Sequence, residues 1–362
     1  MRITHICRVG WPSLGGMEAV VDGLSAAQAA DGHDVRVITL QRSMTTGETL
    51  PAGRHRGVRY VRLPRFGPRR YPGALGLLGA LRGTDVVHAH GLDALTDGAV
   101  HGVWHHGARV GISTHGGFFH TPRHAALKAI WLRTLTRATF RRAGAVWYCS
   151  EADRQALAPA GGEGTVVPNG IDVARFSTVV RAPESGRWLV PGRIDIHKGH
   201  ERLLRVMASL GDAGPRELRI VGPESRPGLM GELAELARVL GIADRVRWLG
   251  SASDEDLLQE LAHCELALFP SLHEGFGMGA VEAMAAGVPV VLSNIPPYRE
   301  RVVGGKTGFI VDFDDPDSAG SLLRDLPSSL HAVARAGRQE AQAYAWPQVA
   351  RLWEQRYDEL LG

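Results

Sequence analysis

The chain has 362 residues, of which 44% are hydrophobic and 22% charged, and its formal net charge is +3. Because single domains usually hold about 100 to 200 residues, this length predicts two domains. The three cysteines include no C-x-x-C pair, which argues against disulfide or cysteine–zinc scaffolding and indicates a reducing compartment. No apolar run approaches the roughly 18 residues of a membrane-spanning helix, so we expect a cytoplasmic chain.

The charge is unevenly distributed along the chain. Residues 1–170 carry 20 Lys and Arg against 11 Asp and Glu, whereas the remainder carries 21 against 27. A basic first half favours an anionic partner or a solvated Arg-rich surface, and composition alone leaves both open.

In the first half, short apolar runs alternate with segments of helical periodicity, the pattern of strand–helix units around a parallel sheet. The predicted strands are Ile3–Val9, Val35–Leu40, Val58–Leu63, Asp85–His90, Val110–Thr114 and Ala145–Cys149. The predicted helices include Met17–Ala30 and Ala125–Arg142. A stretch with several prolines and glycines after residue 166 predicts a linker.

A second series of strand–helix units follows the linker. Its predicted strands are Trp188–Val190, Leu218–Val221, Val246–Leu249, Leu266–Phe269, Val288–Leu292 and Phe309–Val311, with helices near 199–210, 229–240, 254–263 and 279–286. The fold class is therefore α/β, with two Rossmann-like domains facing across a cleft. Ligands of such sheets bind at the carboxyl ends of the strands, so the loops there are the places to look for a site.

Two of these loops could hold a phosphate. In the first, Gly15 and Gly16 directly precede a helix, whose amino terminus offers free N–H groups to an anion, although a tight turn explains a Gly-Gly pair equally well. In the second, "VPGRIDIHKGHERLL", Arg193 and Lys198 lie five residues apart before a helix. These two cations could flank a diphosphate, or the loop could simply be solvated.

A third loop, "HEGFGMGAVEAMAAG", carries two glutamates eight positions apart. Glu274 lies on the loop and Glu282 near the start of the following helix, so helical periodicity does not fix their separation. The glycines between them, Gly275, Gly277 and Gly279, would expose backbone amides to a ligand. An acid/base pair is compatible with this arrangement but not implied by it.

Taken together, the three loops resemble the retaining GT-B glycosyltransferases of family four. The segment "PSLHEGFGMGAVEAMAAGVPVV" looks like the family's E-x7-E signature, and "GRIDIHKG", "VVHAHG", "VVPNGIDVARF" and "GKTGFIVD" match other family segments. The resemblance covers nearly the whole chain. It implies an acceptor domain at 1–170, completed by a crossover helix at 345–362, and a nucleotide-sugar domain at 171–344.

The resemblance also implies roles for the matched residues. Glu282 would bind the ribose of the donor, and Glu274, with the backbone near Phe276 and Gly277, would bind the transferred sugar. Arg193 and Lys198 would neutralise the diphosphate, and Gly15–Gly16 would approach it, so that neither a metal nor another cofactor is required.

One short segment narrows the resemblance. "STHGGFFHT" is similar to the corresponding segment of bacterial α-mannosyltransferases that assemble lipid-linked oligosaccharides. This similarity assigns His115 to the active site, beside the transferred sugar, and Ser150 to the donor site. It favours GDP-mannose as the donor, with a UDP-sugar as the alternative. Pro223–Glu224 and Pro296–Pro297 stand where many family members have glycine, which leaves the nucleobase and sugar least determined.

Two other features of the first half are open to competing interpretations. Eight histidines lie between residues 88 and 124, but they include no metal-binding spacing such as H-E-x-x-H, so we expect no metal site. Residues 121–142 carry six Lys and Arg, no acid and several large apolar side chains. This segment could lie on the cytoplasmic face of an anionic membrane or could be an ordinary amphipathic helix.

The sequence therefore predicts a hexosyltransferase, with mannose favoured, that acts on a lipid-linked or soluble glycan acceptor. A soluble small-molecule acceptor, such as an aminocyclitol or an antibiotic precursor, fits the same residues. Two alternatives of other classes are a nucleotide-sugar epimerase and a non-catalytic protein that binds anions or nucleic acid. Neither explains the ordered set of three loops, and we expect no nucleic-acid partner.

Overall fold

The computed structural model describes residues 1–13, 15–43, 47–69, 71–116, 125–161, 163–326 and 330–362. The chain forms two compact units, one of residues 1–171 and 346–362 and the other of residues 172–345. Each contains one large sheet that is mainly parallel.

The described residues of the first unit form ten strands. They are β1 (Arg2–Ile6), β2 (Asp34–Leu40), β3 (Gly53–His55), β4 (Val58–Leu63), β5 (Arg65–Phe66), β6 (Gly73–Ala74), β7 (Val86–His90), β8 (Arg109–Ser113), β9 (Ala145–Tyr148) and β10 (Thr165–Val166). The helices between them are α1 (Gly16–Ala30), α2 (Leu77–Ala80), α3 (Ala94–His101), α4 (Val103–His106), α5 (Ala125–Trp131), α6 (Arg137–Arg142) and α7 (Glu151–Leu157).

The second unit has a six-stranded parallel sheet. Its strands are β11 (Arg187–Pro191), β12 (Glu217–Val221), β13 (Val246–Gly250), β14 (Leu266–Phe269), β15 (Val290–Ser293) and β16 (Phe309–Val311). Its helices are α8 (Val173–Ser177), α9 (His200–Leu210), α10 (Leu229–Val239), α11 (Asp254–His263), α12 (Met278–Ala285), α13 (Pro296–Arg299), α14 (Pro316–Arg324) and α15 (Leu330–Ala341). The last helix, α16 (Trp346–Leu361), belongs to the first unit.

The strand orders locate the ligand-binding edges. The main sheet of the first unit runs β10-β9-β8-β7-β1-β2-β4-β3, and that of the second runs β13-β12-β11-β14-β15-β16. In each sheet the order reverses beside the first strand of the unit, between β1 and β7 and between β11 and β14. A doubly wound sheet binds its ligands at such a point, outside the carboxyl ends of the strands.

Apolar side chains cover both faces of each sheet, as parallel sheets require. In the first unit one buried cluster includes Leu95 and Ile112, and another includes Val37 and Tyr357 of α16. The close packing of α16 depends on glycine, because a Cβ at Gly23 or Gly170 would collide with the ring of Trp346.

The predicted helix at 125–142 is interrupted, which corrects the continuous helix expected from the sequence. A π-helical turn at Leu132–Thr136 separates α5 from α6. The Thr134 hydroxyl donates a 2.7 Å hydrogen bond to the Ile130 carbonyl. A side chain that binds the carbonyl one turn back competes with the regular helix ladder, which accounts for the irregular turn.

Candidate active site

Two of the predicted loops meet where the strand order of the second sheet reverses, between β11 and β14. The loop after β11 carries Lys198 and the loop after β14 carries Glu274, and Nζ of Lys198 lies 2.6 Å from Oε1 of Glu274. Gly199 makes this approach feasible, because it has φ of +68° and an added Cβ would collide with the carbonyl oxygen of Pro270. The two loops are also joined by a 2.7 Å hydrogen bond from the Leu272 N–H to the His197 carbonyl.

The Glu274 carboxylate is held by two further donors. The Ser271 hydroxyl lies 2.9 Å and the Tyr298 hydroxyl 3.1 Å from the same oxygen, Oε1, that accepts from Lys198. Tyr298 is fully buried, and burial with the neighbouring Glu274 charge holds the pKa of its phenol well above the usual value. Its O–H therefore stays a donor, and Glu274 is fixed before any ligand arrives.

Tyr298 was not predicted from the sequence to belong to the site. It follows Pro296–Pro297, which begin α13 as prolines commonly begin helices. Gly277 fits against the tyrosine, because a Cβ there would lie 2.7 Å from the Tyr298 ring, and its φ of +91° suits glycine. The glycines of this loop thus make room for a protein side chain as well as for a ligand.

Glu282 occupies the fifth position of α12, where it is half-buried. Burial raises the pKa of its carboxyl to about 7, while the positive charges of Arg175 and Lys198 act in the opposite direction. The group is therefore near its titration midpoint at neutral pH. Its environment differs from that of Glu274, which has three donors on one oxygen.

Arg193 is exposed on the loop after β11. The loop is fixed by two hydrogen bonds to its neighbour after β12, from the Ile194 N–H to the Pro223 carbonyl and from the Ser225 N–H to the Ile194 carbonyl. Glu224 has a structural role, since its carboxylate accepts from the backbone N–H groups of Gly228 and Met230 at the start of α10.

The backbone near Phe276 is held by a buried arginine. Arg301 lies over the Phe276 ring, with its guanidinium carbon 4.1 Å from the ring centre, and its Nε is 3.4 Å from the Phe276 carbonyl oxygen. The same guanidinium donates to the Tyr344 hydroxyl. Arg301 was not predicted from the sequence, because nothing in "YRERVV" distinguishes it from the neighbouring Arg299.

In the first unit, Gly15 is the N-cap of α1 and Gly16 its first residue. The side chain of Glu18 lies against Gly15, where a Cβ would collide with it. Nearby in sequence, Arg8 follows β1 and forms a 3.1 Å ion pair with Asp93, the buried N-cap of α3. An anion at the start of α1 would therefore compete with the Glu18 carboxylate for the same helix end.

His115 follows β8 with a left-handed backbone, φ of +54°, which is uncommon for a residue with a side chain. A buried carboxylate contacts the residues on both sides of it, because Asp153 accepts hydrogen bonds from the Thr114 hydroxyl and from the Gly116 backbone N–H. Burial lowers the pKa of His115 to about 4, and the adjacent Asn169 opposes this only in part. The ring is therefore neutral near pH 7.

The other predicted residues of this region have varied surroundings. The Ser150 hydroxyl caps α7 by accepting from the Asp153 N–H, and Ser150 is fully buried, which gives it a structural role independent of a ligand. The segment 117–121 of "STHGGFFHT", with His120, and also His124 lie outside the described residues. The structure therefore describes His115 of this segment but not His120.

Three buried histidines, His5, His88 and His90, present ring nitrogens within 4.8 Å of one another. Nδ1 of His5 lies 2.8 Å from Nε2 of His90, shorter than the roughly 3.3 Å between two nitrogens of a tetrahedral zinc site. Each histidine also binds a protein group, Gln28, Ser113 or His115. The donor set thus fits a hydrogen-bonded network rather than a metal centre.

The described part of the basic segment presents both charge and apolar surface. Leu127 and Ile130 of α5 are 62% and 61% exposed, and Trp131 packs edge-on against Tyr71. Residues 121–124 of the segment lie outside the described residues. Among the described helices, none has the length and apolar character needed to cross a membrane.

Comparison with known proteins supports the resemblance drawn from the motifs. Residues 14–175 match the family described as Glycosyltransferase Family 4, and residues 180–340 match Glycosyl transferases group 1. The chain is 32% identical to the GDP-mannose:cellobiosyl-diphosphopolyprenol alpha-mannosyltransferase of Xanthomonas campestris, over 100% of this chain and 98% of that protein. The protein of the same description from Komagataeibacter xylinus is 31% identical, over 100% and 94%.

Solved structures agree on the architecture. Sucrose-phosphate synthase from Thermosynechococcus elongatus superposes with a TM-score of 0.78 at 22% identity, covering 99% of this chain and 98% of that one. Anabaena HepE in complex with UDP gives a TM-score of 0.79 at 17% identity, covering 99% and 100%. These likenesses establish the two-domain GT-B fold and confirm the predicted fold class. The chain therefore belongs to the family 4, group 1 glycosyltransferases, and it is a hexosyltransferase that uses a nucleotide-sugar donor.

Proposed function

We propose that this protein transfers mannose from GDP-mannose to a hydroxyl of a glycan carried on a diphosphate-linked lipid, with retention of the anomeric configuration. The observation that carries the proposal is the full-length similarity to two GDP-mannose:cellobiosyl-diphosphopolyprenol alpha-mannosyltransferases. The arrangement of Lys198, Glu274 and Tyr298 supports it, because it supplies a cation and a fixed carboxylate at the ligand-binding edge of the second sheet.

The roles follow from the chemistry of each group. Lys198 has three N–H donors and uses one on Glu274, so two remain for donor phosphate oxygens. The exposed Arg193 guanidinium would add a second cation to the diphosphate. Glu274 is acceptor-only when ionised, which suits hydroxyls of the transferred sugar, and Glu282 would accept from the ribose hydroxyls. In the first unit, His115 would contact the transferred sugar, and Gly15–Gly16 would approach the diphosphate.

We propose a front-side reaction rather than a double displacement. A double displacement needs a carboxylate nucleophile at the anomeric carbon, and Glu274 already accepts hydrogen bonds from three protein donors on one oxygen. In the front-side reaction the bond from the anomeric carbon to the leaving phosphate oxygen breaks, and the acceptor oxygen bonds on the same face. The acceptor proton passes to that phosphate oxygen, while the cations offset the charge that develops there.

The donor and acceptor can be tested together. Purified protein is incubated with GDP-mannose or UDP-glucose and with cellobiosyl-diphosphopolyprenol, free cellobiose or no acceptor. We expect mannose to enter the lipid-extractable product only with GDP-mannose and the lipid-linked acceptor. Transfer to a soluble acceptor alone, transfer only from UDP-glucose, or conversion of the donor without acceptor would each contradict the proposal.

The role of Glu274 is tested by comparing two carboxylate variants. Glu274→Gln should lower kcat/KM for the donor by about two orders of magnitude. The change replaces the charged acceptor of three protein donors and of the sugar hydroxyls with a neutral amide. Glu235→Gln is the matched control, because Glu235 forms an exposed ion pair with Arg238 on α10. Near-normal activity of Glu274→Gln would refute the assignment.

We also propose peripheral contact with an anionic membrane through the segment 121–142. Exposed Leu127 and Ile130 on α5, together with the basic residues that follow, give an apolar surface beside positive charge. The double change Leu127→Gln, Ile130→Gln should weaken co-sedimentation with phosphatidylglycerol vesicles. Val239→Gln, on an exposed apolar residue of the second unit, should not. Equal binding by both variants would contradict the proposed surface.

A further inference from the structure

In the first unit, a buried chain of hydrogen bonds links side chains of α1, β1 and β7 and ends at His115. We call Gln28, His5, His90 and His115 the histidine chain. Nε2 of His115 lies 2.8 Å from Nδ1 of His90, Nε2 of His90 lies 2.8 Å from Nδ1 of His5, and Nε2 of His5 lies 2.7 Å from Oε1 of Gln28. Gln28, His5 and His90 are each at most 1% exposed.

The far end of the chain is fixed by α16. Nε2 of Gln28 donates to the Tyr357 hydroxyl at 3.1 Å, and that hydroxyl lies 2.7 Å from Nδ1 of His88. Nε2 of His88 lies 2.6 Å from the Ser113 hydroxyl. The chain therefore joins β1, β7 and α1 to α16 and closes on β8, the strand that precedes His115.

These contacts allow only one direction of donation once the Gln28 amide is placed. A neutral imidazole carries one N–H and one acceptor nitrogen. Oε1 of Gln28 accepts, so His5 carries its proton on Nε2 and accepts at Nδ1. His90 must then donate from Nε2 and accept at Nδ1, which leaves His115 donating from Nε2.

Burial keeps every member of the chain neutral. It lowers the pKa of His5 and of His115 to about 4 and holds that of His90 well below its usual value. A proton added to any member would disrupt the succession of one donor and one acceptor per ring. Turning the Gln28 amide over would reverse every bond, so this one side chain sets the tautomer of a histidine two rings away.

We propose that the histidine chain is a positioning device that holds His115 as the Nε2–H tautomer, with a lone pair on Nδ1. Nδ1 of His115 is buried and makes no hydrogen bond of normal length to a described residue, and Asn169 is the adjacent polar side chain. The importance of this tautomer for transfer rests on the proposed contact of His115 with the transferred sugar.

The tautomer can be measured on the free protein, without substrate. In protein labelled with ¹⁵N-histidine, two-bond ¹⁵N–¹H correlations distinguish a protonated from an unprotonated ring nitrogen. His115 is assigned by loss of its signals in His115→Ala. We expect Nε2 of His115 protonated and Nδ1 unprotonated at pH 7. A proton on Nδ1, or an equal mixture of the two tautomers, would overturn the proposal.

A second measurement tests the dependence on Gln28. Gln28→Leu keeps the approximate size of the side chain but removes the acceptor that orients His5. We expect mixed tautomers at His115 and a 10- to 100-fold lower kcat for GDP-mannose, roughly the cost of a misplaced group. Ser25→Ala is the control, since Ser25 is a buried residue of the same helix and lies outside the chain. An unchanged His115 tautomer in folded Gln28→Leu would overturn the proposal.

Activity and tautomer together separate this inference from the proposed function. If His115→Ala retained full activity, the proposed sugar contact would fail while the measured tautomer still stood. A mixed tautomer at His115 in a wild-type protein that transfers mannose as expected would refute the histidine chain and leave the proposed function intact.

Discussion

We predict that removing the charge of Glu282 stabilises the protein. Its pKa is raised from 4.5 to about 7, mainly by burial. A carboxyl whose folded pKa lies above its unfolded pKa holds its proton more tightly in the folded state. The stability that this tighter proton binding contributes is fully present below pH 4.5 and is lost as the pH rises to 7. Glu282→Gln escapes that loss, so its advantage in free energy of unfolding should grow from pH 4.5 to 7 and then level off.

The size of the effect follows from the same shift. A change from 4.5 to about 7 corresponds to about 3 kcal/mol at 1.36 kcal/mol per pKa unit. Glu282 is half-buried, and solvent screens part of this cost, so we expect about 1–2 kcal/mol. In a unit of this size that is a rise in melting temperature of roughly 2–8 °C at pH 8, with a much smaller rise at pH 5.

Thermal unfolding of the wild type and of Glu282→Gln at several pH values between 5 and 8 measures this difference. Glu260 provides a control of opposite sign, because its ion pairs with Arg219 and Arg187 outweigh burial and lower its pKa. Glu260→Gln should destabilise the protein by a nearly constant amount between pH 5 and 8, because the stability that its lowered pKa contributes is lost only below pH 4.5. A Glu282→Gln variant that is less stable than wild type at pH 8, or equally shifted at all pH values, would refute the reasoning.

Three further substitutions test the supports of the site. Tyr298→Phe removes one donor to Glu274 and should raise KM for the donor about 3- to 10-fold, the effect of one hydrogen bond; unchanged steady-state kinetics would contradict this. Gly199→Ala forces a side chain at φ of +68° against Pro270 and should cost about 1–3 kcal/mol, seen as a lower melting temperature that Gly231→Ala, at an open position, does not share. Asp153→Asn weakens the acceptor for Thr114 and Gly116 and should cost about 1–3 kcal/mol in urea unfolding and lower kcat, so wild-type values of both would show that this carboxylate does not hold the His115 loop.

The sequence predicted the buried strands more accurately than the residues at which strands begin and end. Leu266–Phe269 and Phe309–Val311 coincide with β14 and β16, because their apolar runs have no alternative to burial. The strand predicted at Val288–Leu292 begins only at Val290. Val288 instead closes the end of α12 with a hydrogen bond to the Ala283 carbonyl, and Pro289 has no N–H to donate.

Several very short strands were not predicted. β3, β5 and β6 contain two or three residues each, and β3 and β5 are largely exposed. Such strands are specified by their neighbours rather than by their own apolar pattern. β3, for example, is set by antiparallel pairing with β4, as in the pair His55 and Val58.

The motifs located the candidate residues but not the groups that hold them. Lys198 and Glu274 are 76 positions apart, and their contact depends on a glycine that lets one loop approach the carbonyl of another. Tyr298 and Asp153 reach the candidate residues only through the folded sheet order. No local pattern encodes such contacts, since they depend on which strands become neighbours.

Two glutamates of the second unit, Glu260 and Glu282, differ in a way that separates structural from ligand-binding carboxylates. Glu260, a purely structural acid, is paired with two arginines inside the second unit, and its charge therefore stabilises the fold. Glu282 lies in the same unit and forms no ion pair with a described residue, so the charges of Arg175 and Lys198 offset its burial only in part and its ionised form costs stability. A fold tolerates that cost where the group has another partner part of the time. Nucleotide should supply that partner, so GDP should stabilise the wild type more than Glu282→Gln, and an equal shift in melting temperature for both would exclude Glu282 from the donor site.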